Sequence, residues 1–369
     1  MKKFSLHATL PLIAATVIPL FAQPLTLPEA SPKASVSQTI GITDVSVAYH
    51  RPAVNKREVW GKLVPYGYGD LGFGTSKAAP WRAGANENTL VTFQHDVTVA
   101  GQPLKAGAYA LFMAVEPSGE VTVIFSRDNA HWGSFFYDQS RDALRANVKW
   151  EDAPFHELLT YEFTDVTKDS AVLSLLWEKK RIPIPLKTDT QANVVASMKA
   201  ELRNSKGFAA KAWVDGVNYL LENNLDMPLA LEWCDYALTA RFVGERTFAT
   251  LSAKGQVLER LGRVDEAKKI MDEALRLATA GEIHQYARQL LAQKKAERAL
   301  EVFKLNVELH PDVWPVNYGL ARGYSAVGNY QAALEAIEKA QKQVPEGDTI
   351  NANAIKVNIE KLKRGENIN

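Results

Sequence analysis

The spacing of apolar residues changes once along the chain, and this change restricts the fold more than any other feature. From Ser35 to about Leu186 apolar residues recur at every second position, as in strands with one buried face. After about Gln191 they recur at the spacing of amphipathic helices. The sequence therefore predicts an N-terminal all-β antiparallel sandwich or barrel and a C-terminal all-α part.

The first part has short strand patterns separated by Gly- and Pro-rich turns. "TDVSVAYHRP" places Val45, Val47 and Tyr49 on one face. One segment, "YDQSRDALRA", instead predicts a short helix with Asp138 as its N-cap and Leu144 facing inward. Such closely spaced strands are typical of antiparallel sandwiches and barrels.

The second part contains an internal repeat. Small residues recur at equivalent positions, and two of them, Ala299 and Ala333, are 34 residues apart. The full set is Ala230, Ala267, Ala299 and Ala333. This pattern resembles the tetratricopeptide repeat, which has two helices per unit and small residues where they cross. The third unit departs from it, with Lys294 in place of a turn glycine and Asn306 where Ala is usual.

These patterns predict five segments. They are a signal peptide over 1–22, the β domain over 24–187, a linker over 188–205, tetratricopeptide-like repeats over 206–346 and a capping helix with a tail over 347–369. Asp348 or Thr349 is the expected N-cap of the capping helix, and Gly365 its end.

The first residues predict export. Lys2 and Lys3 precede a short apolar stretch that ends near Ala22, and this stretch is too short to span a membrane in the mature protein. The pattern is typical of a secretory signal peptide, and the alternative is a buried N-terminal helix. Because no cysteine lies near the predicted cleavage site, we expect a periplasmic or secreted protein that is not a lipoprotein.

Charge and cysteine content argue against nucleic-acid binding and against an internal disulfide. Lys and Arg number 43 against 42 Asp and Glu, so the net charge of +1 gives no attraction to nucleic acid. The single cysteine, Cys234, cannot form an internal disulfide, and its apolar neighbours predict a core position.

Five segments of the first part carry a resemblance to a known family. They are "SPKASVSQTIGITDVSVAYHRPAVNKREVWGKLVPYG", "PWRAGANENT", "LKAGAYALF", "WGSFFYD" and "LLWEKKRIPIPL". Over about Pro24 to Lys187 the chain resembles a secreted bacterial family known only as a domain of unknown function, number twenty-nine-eleven. The resemblance implies a fold and a secreted setting, but no activity.

Motifs for common cofactors and nucleophiles are missing from the sequence. Gly67 to Gly72 satisfies G-x-G-x-x-G, but the polar turn and Pro80 that follow do not predict the helix that dinucleotide binding needs. The histidines of the β part, His50, His95, His131 and His156, lack the close spacing of a metal site. We therefore predict neither a metal nor a cofactor, and no P-loop or G-x-S-x-G motif occurs.

A ligand site is predicted at "PWRAGANENT" together with "HWGSFFYD". The candidate residues are Trp81, Arg82, Asn86, Glu87, His131 and Trp132. Arg82 can bind a carboxylate or phosphate, and Trp81 can stack on a sugar ring or a cation. The alternative is structural: Arg82 pairs with Glu87, Asn86 closes a turn, and Trp81 plugs the end of the sandwich.

A second site is predicted in the groove of the repeats. The resemblance places Gln256, Glu259, Arg260, His284, Arg288, Arg322 and Ser325 on the inner helices. Arg260, Arg288 and Arg322 would form a basic row suited to an acidic peptide or a terminal carboxylate. The alternative is that these side chains are only solvated.

Together these features predict a non-catalytic periplasmic binding or scaffold protein that holds a protein or peptide partner in its repeats. One alternative is a hydrolase-like enzyme in which Arg82, Glu87 and His131 converge and the repeats select the substrate. Another is a module that binds a small polar or sugar ligand through Trp81 and Trp132.

Overall fold

The computed structural model describes residues 27–369. The predicted signal peptide therefore lies outside the described residues. The chain divides into two compact units after Val194, an N-terminal β unit and a C-terminal α unit.

The β unit consists of two antiparallel sheets. Its strands are Lys33–Ile40 (β1), Thr43–His50 (β2), Thr89–Phe93 (β3), Val97–Val99 (β4), Gln102–Leu104 (β5), Gly107–Val115 (β6), Glu120–Ser126 (β7), Asp142–Lys149 (β8), Glu151–Thr164 (β9) and Ser170–Thr188 (β10). The six-stranded sheet has the order β1-β2-β3-β6-β7-β8, and the four-stranded sheet the order β5-β4-β10-β9.

One hydrophobic core joins the two sheets. Val47 of β2 and Leu111 of β6 are fully buried in it, together with Leu173 and Ile182 of β10. In β2 the buried positions Val45, Val47 and Tyr49 alternate with more accessible ones. The antiparallel all-β fold predicted from the period of two is thus confirmed.

The helix predicted over "YDQSRDALRA" is wrong. The structure has a single 3-10 turn at Gln139–Arg141, where the Asp138 carboxylate accepts a hydrogen bond from the Ser140 amide, and β8 begins at Asp142. Leu144 is buried as expected, but it is a strand residue that pairs with Phe125 of β7. The edge of β7 provides hydrogen-bond partners for the backbone N–H and C=O groups of this segment, which stabilises it as a strand. The local sequence does not reveal these partners, because they come from another strand.

Ten helices follow in the described chain. They are Thr190–Glu201 (α1), Ala210–Glu222 (α2), Met227–Thr239 (α3), Phe248–Arg260 (α4), Val264–Arg276 (α5), Ala280–Ala292 (α6), Ala296–Leu309 (α7), Trp314–Ala326 (α8), Tyr330–Gln343 (α9) and Thr349–Lys363 (α10). Where the sequence predicts a linker over 188–205, the structure has helix α1. None of the described helices combines the length and apolarity that a membrane span requires.

Helices α2 to α9 form four successive pairs, and α10 follows the last pair. The four alanines of the sequence repeat are all buried in the second helix of a pair. The turns inside the second, third and fourth pairs share a left-handed residue, namely Gly262 (φ +76°), Lys294 (φ +63°) and Gly328 (φ +78°). Lys294 therefore keeps the turn conformation although it replaces glycine. The all-α repeat fold is confirmed.

Candidate functional site

The segment "PWRAGANENT" is a fixed turn that enters β3. Trp81 exchanges two backbone hydrogen bonds with Met113 of β6, of 2.9 and 2.8 Å. Ala83 and Asn86 both have left-handed backbones, with φ of +48° and +57°. The Thr89 hydroxyl donates to the carbonyl of Ala83, which closes the turn at the start of the strand.

Arg82 and Glu87 do not pair with each other. The Arg82 guanidinium donates to the backbone carbonyl of Asn86 at 2.7 Å and lies 5.1 Å from the ring centre of Trp132. The Glu87 carboxylate instead lies 3.3 Å from Nδ1 of His50. The interpretation in which Arg82 and Glu87 neutralise each other is therefore wrong, and the two side chains belong to different pockets.

The first pocket, which we call the histidine pocket, has a volume of about 300 Å³. The lining residues that carry polar groups are Lys33, Tyr49, His50, Glu87, Asn88, Asn129, His131 and Trp132. Three of the predicted site residues, Glu87, His131 and Trp132, thus line one cavity, whereas Arg82 does not line it. The convergence of Arg82, Glu87 and His131 that the hydrolase alternative requires is absent from this pocket.

Sequence reasoning missed the centre of the histidine pocket. His50 is buried, with Nε2 3.3 Å from the Glu29 carboxylate and Nδ1 facing Glu87 without a hydrogen bond. Both amide atoms of Asn88 are buried and have no hydrogen-bond partner among the described residues. His131 pairs with Asp128 at the rim. The only signal for His50 in the sequence is a histidine at the end of a strand pattern, which is too common to single it out.

The second pocket, which we call the Trp–Arg pocket, has a volume of about 340 Å³. Trp81 and Arg82 line it, together with Arg57 and Trp177. The rings of Trp81 and Trp177 stack with centroids 5.9 Å apart and planes 16° apart. Burial lowers the pKa of Arg82, which has no carboxylate within ion-pair distance among the described residues. Asn86 lines neither pocket, and its side-chain amide donates to the carboxylate of Glu29.

Trp81 and Trp177 belong to a cluster of four tryptophans. Trp60 is its centre, with ring centroids 5.9 Å from Trp81, 5.3 Å from Trp150 and 6.1 Å from Trp177. The predicted role of Trp81 as a plug for the sandwich agrees with this packing against the core. The cluster joins residues from four distant segments, so no single stretch of sequence predicts it.

Neither a metal cluster nor a reactive thiol occurs in residues 27–369. No group of three or more His, Cys, Asp or Glu side chains is arranged there to hold a metal ion. Burial raises the pKa of the Cys234 thiol to about 12, so this residue stays protonated at neutral pH. Cys234 lies in the core of the α unit, as its sequence neighbours predict.

In the α unit the predicted basic row has two members in register and not three. Arg288 and Arg322 are the ninth residues of α6 and α8, whereas Arg260 is the last residue of α4. Arg260 donates instead to the side-chain oxygen of Asn224 at 3.0 Å. Arg260 lies four residues, or about one helical turn, beyond the equivalent position, so it is at the C-terminal end of α4 and not level with the other two arginines.

Gln256, Glu259 and Arg260 line a separate cleft of about 810 Å³ between helices α4–α5 and α6–α7. Leu221, Met271 and Leu290 contribute to its apolar lining. An ion pair of 2.7 Å between Glu259 and Lys295 connects α4 to the N-terminal end of α7 beside this cleft. The predicted groove residues are thus divided between the cleft and the face formed by α6 and α8.

His284 lies within the electrostatic influence of the two arginines that share a register. Its Nδ1 atom is buried without a partner, and its ring packs against Phe303 with centroids 5.6 Å apart. Burial lowers the pKa of His284, and the positive charges of Arg288 and Arg322 lower it further. The neutral imidazole is therefore the form that the folded protein favours.

We expect His284 to make the α unit less stable as the pH falls. An unfolded histidine takes up its proton near its ordinary pKa of 6.5, whereas the folded one resists protonation. The stabilisation is thus complete above pH 6.5 and is lost progressively below it, down to the lowered folded pKa. Urea unfolding followed between pH 8 and 5 should show a shallower pH dependence for His284→Gln than for the wild type. An unchanged dependence would contradict the assignment.

The face of α8 is occupied by residues Asn367–Asn369, which we call the tail. Arg322 donates to the backbone carbonyl of Ile368 at 3.2 Å, and the amide of Ile368 donates to the hydroxyl of Ser325 at 3.1 Å. The Ser325 hydroxyl donates in turn to the side chain of Asn367, while the Asn369 amide donates to the carbonyl of Arg322. Ile368 is only 6% exposed and packs among apolar residues of α8, α9 and α10.

The structure defines a class of protein with an antiparallel β unit followed by tetratricopeptide-like helix pairs. Comparison with known families assigns each part. Residues 31–186 match the family described as a protein of unknown function (DUF2911), and residues 249–280 match the tetratricopeptide repeat. Both resemblances predicted from the sequence are confirmed.

Several solved structures are similar to this chain. One is MamA, residues 41-end, from Desulfovibrio magneticus RS-1, which is 21% identical in sequence. The match covers 44% of this chain and 90% of that chain, with a TM-score of 0.27. The Podosopora anserina putative kinesin light chain nearly identical TPR-like repeats has 17% identity, coverages of 42% and 85%, and a TM-score of 0.29. YrrB, described as a TPR protein with an unusual peptide-binding site, has 18% identity, coverages of 47% and 89%, and a TM-score of 0.27. No curated protein matches the chain.

Proposed function

We propose that this is an exported, non-catalytic binding protein whose helical repeats hold an extended polypeptide segment of a partner protein. The observation that carries the proposal is the recognition of the Ile368 backbone by Arg322 and Ser325. These two side chains satisfy both the carbonyl and the amide of one residue that lies outside any helix or strand. Since every polypeptide has these groups, the same contacts suit a segment of another protein.

The surroundings of this contact point to the chemistry of the partner segment. Ile368 occupies an apolar site, so the partner would place a branched apolar side chain there. Arg288 makes no hydrogen bond or ion pair with any described residue and shares the register of Arg322. An acidic side chain next to the apolar one would complement these two guanidinium groups. The partner segment is therefore extended, apolar at one position and acidic beside it.

Export is the second part of the proposal, and it rests on the sequence. The positive charges of Lys2 and Lys3 followed by a short apolar stretch support a signal peptide and a periplasmic or secreted setting. The high pKa of the only cysteine supports a binding role over nucleophilic catalysis by a thiol.

The peptide site can be tested with the tail itself as the probe. We expect an acetylated peptide of residues 365–369 to bind a chain that lacks residues 367–369, and to bind the full chain more weakly because the tail competes. A Kd of about 1 mM or tighter, equivalent to about −4 kcal/mol, is expected for so short a peptide. Shift changes in NMR spectra of the shortened chain would measure it.

Matched arginine variants separate the site from a non-specific charge effect. Arg322→Ala in the shortened chain should abolish peptide binding, whereas Arg260→Ala should leave it unchanged, because Arg260 does not contact the tail. Circular dichroism would show that both variants are folded. Equal binding by the two variants, or no binding by the folded shortened chain at several times the expected Kd, would refute the proposal.

A further inference from the structure

We infer that the Trp–Arg pocket of the β unit binds a small organic anion, namely a carboxylate attached to a flat apolar body. This inference concerns a different unit from the peptide site and does not depend on it. It rests on the charge of the pocket, on its unused hydrogen-bond donors and on the shape of its walls.

The charge of the pocket is entirely positive. Arg57 and Arg82 line it, and no aspartate or glutamate does. Arg82 is half-buried, and burial already lowers the pKa of its guanidinium. A cation that is withdrawn from water without a counter-charge is costly, and a bound anion removes this cost. Charge complementarity therefore favours an anionic ligand.

Several hydrogen-bond donors in the pocket remain unused. Arg82 donates from Nη1 to Asn86, and Arg57 donates from Nε and Nη2 to the carbonyls of Val54 and Ala53. The other guanidinium nitrogens make no hydrogen bond within the described chain. Trp177 is 1% exposed, and its indole Nε1 also has no partner there. A carboxylate offers only acceptors and so matches these free donors.

The walls of the pocket suit a flat apolar group next to that carboxylate. Trp81 and Trp177 form one wall, and Leu63, Val64 and Pro65 add aliphatic surface. Residues of the loop over 67–79 also line the pocket, and two backbone hydrogen bonds between Gly69 and Ala79 hold this loop together. At about 340 Å³ the cavity lies at the small end of the range for ligand pockets. It therefore fits one aromatic ring better than a large ligand.

The test uses phenylacetate as the probe, with the full chain and with indole N–H signals of ¹⁵N-tryptophan followed by NMR. We expect phenylacetate to shift the signals of Trp81 and Trp177 in a saturable way. The neutral analogue phenylacetamide should bind at least about tenfold more weakly, because it lacks the charge. Inorganic phosphate has the charge but no apolar body, and it should also bind more weakly.

Variants then assign the contact to Arg82. Arg82→Gln should weaken phenylacetate binding about tenfold or more, and Arg82→Lys, which keeps the charge but loses the planar fork, should give an intermediate loss. Arg57→Gln tests the second cation without touching the packing around Arg82. Arg127→Gln is the control, since Arg127 does not line the pocket. Equal binding of phenylacetamide, tighter binding of phosphate, or unchanged binding in both Arg82 variants would overturn the inference.

Discussion

Replacing Trp177 by Ala is expected to lower the free energy of unfolding of the β unit by about 3–5 kcal/mol, the usual cost of removing a buried tryptophan. Trp177 is 1% exposed and packs against both Trp60 and Trp81. Its loss would leave a cavity between the two sheets, which the rigid strands around it cannot fill. Hydrogen exchange of backbone amides, read separately for each unit, measures the effect.

The matched control for this prediction is Trp132→Ala. Trp132 is 52% exposed and lies at the rim of the histidine pocket, so its removal should change the stability of the β unit by less than about 1 kcal/mol. The exchange rates of the α unit should stay the same in both variants. A Trp177→Ala protein as stable as the Trp132→Ala protein would show that the tryptophan cluster does not hold the β unit together.

Gly319→Val is expected to destabilise the α unit by about 1–3 kcal/mol or more, as overpacking of a close helix contact does. A Cβ atom at Gly319 of α8 would lie 2.8 Å from both Phe303 and the Nδ1 atom of His284. Phe303 is fully buried, so it has no open space into which to move. Urea unfolding monitored by the helical signal in circular dichroism measures the loss.

Gly281→Val is the corresponding control. Gly281 also lies in a helix, α6, but a Cβ atom there would meet nothing within 4 Å. Valine favours a helix slightly more than glycine does, so we expect little change or a small gain in stability. A similar loss in both variants would mean that the β-branched side chain, and not the close approach of α8 to its neighbours, causes the effect.

For the β unit, the sequence identified a segment that lines pockets but not the partners of its side chains. The sequence predicted one ligand site at "PWRAGANENT", whereas the structure distributes its residues over two pockets. The Arg82 guanidinium lies over the ring of Trp132, and the Glu87 carboxylate faces His50. Both contacts depend on partners more than 30 positions away in the chain, and a single sequence contains no measure of such pairings. The missed residues, His50 and Trp177, are ordinary members of strand patterns when they are read locally.

The groove of the repeats illustrates the same limit at a finer scale. The repeat spacing placed Arg288 and Arg322 on equivalent turns, and the structure agrees. The repeat spacing could not show that the tail contacts α8, because the hydrogen bonds that join Arg322 or Ser325 to the tail connect residues 42 to 47 positions apart. The most specific support for a peptide site therefore came from the structure alone.

The sequence by itself determined the order and type of the two units, because the period of apolar residues decides which backbone geometry can bury one face. It also determined the helix pairs, whose small residues must recur where helices cross. The tertiary structure alone decided that 142–149 is a strand, that Arg82 and Glu87 line different pockets, and that the tail covers Ser325. These outcomes depend on which distant backbone edge, ring or carbonyl is within reach, and that is fixed only when the whole core packs.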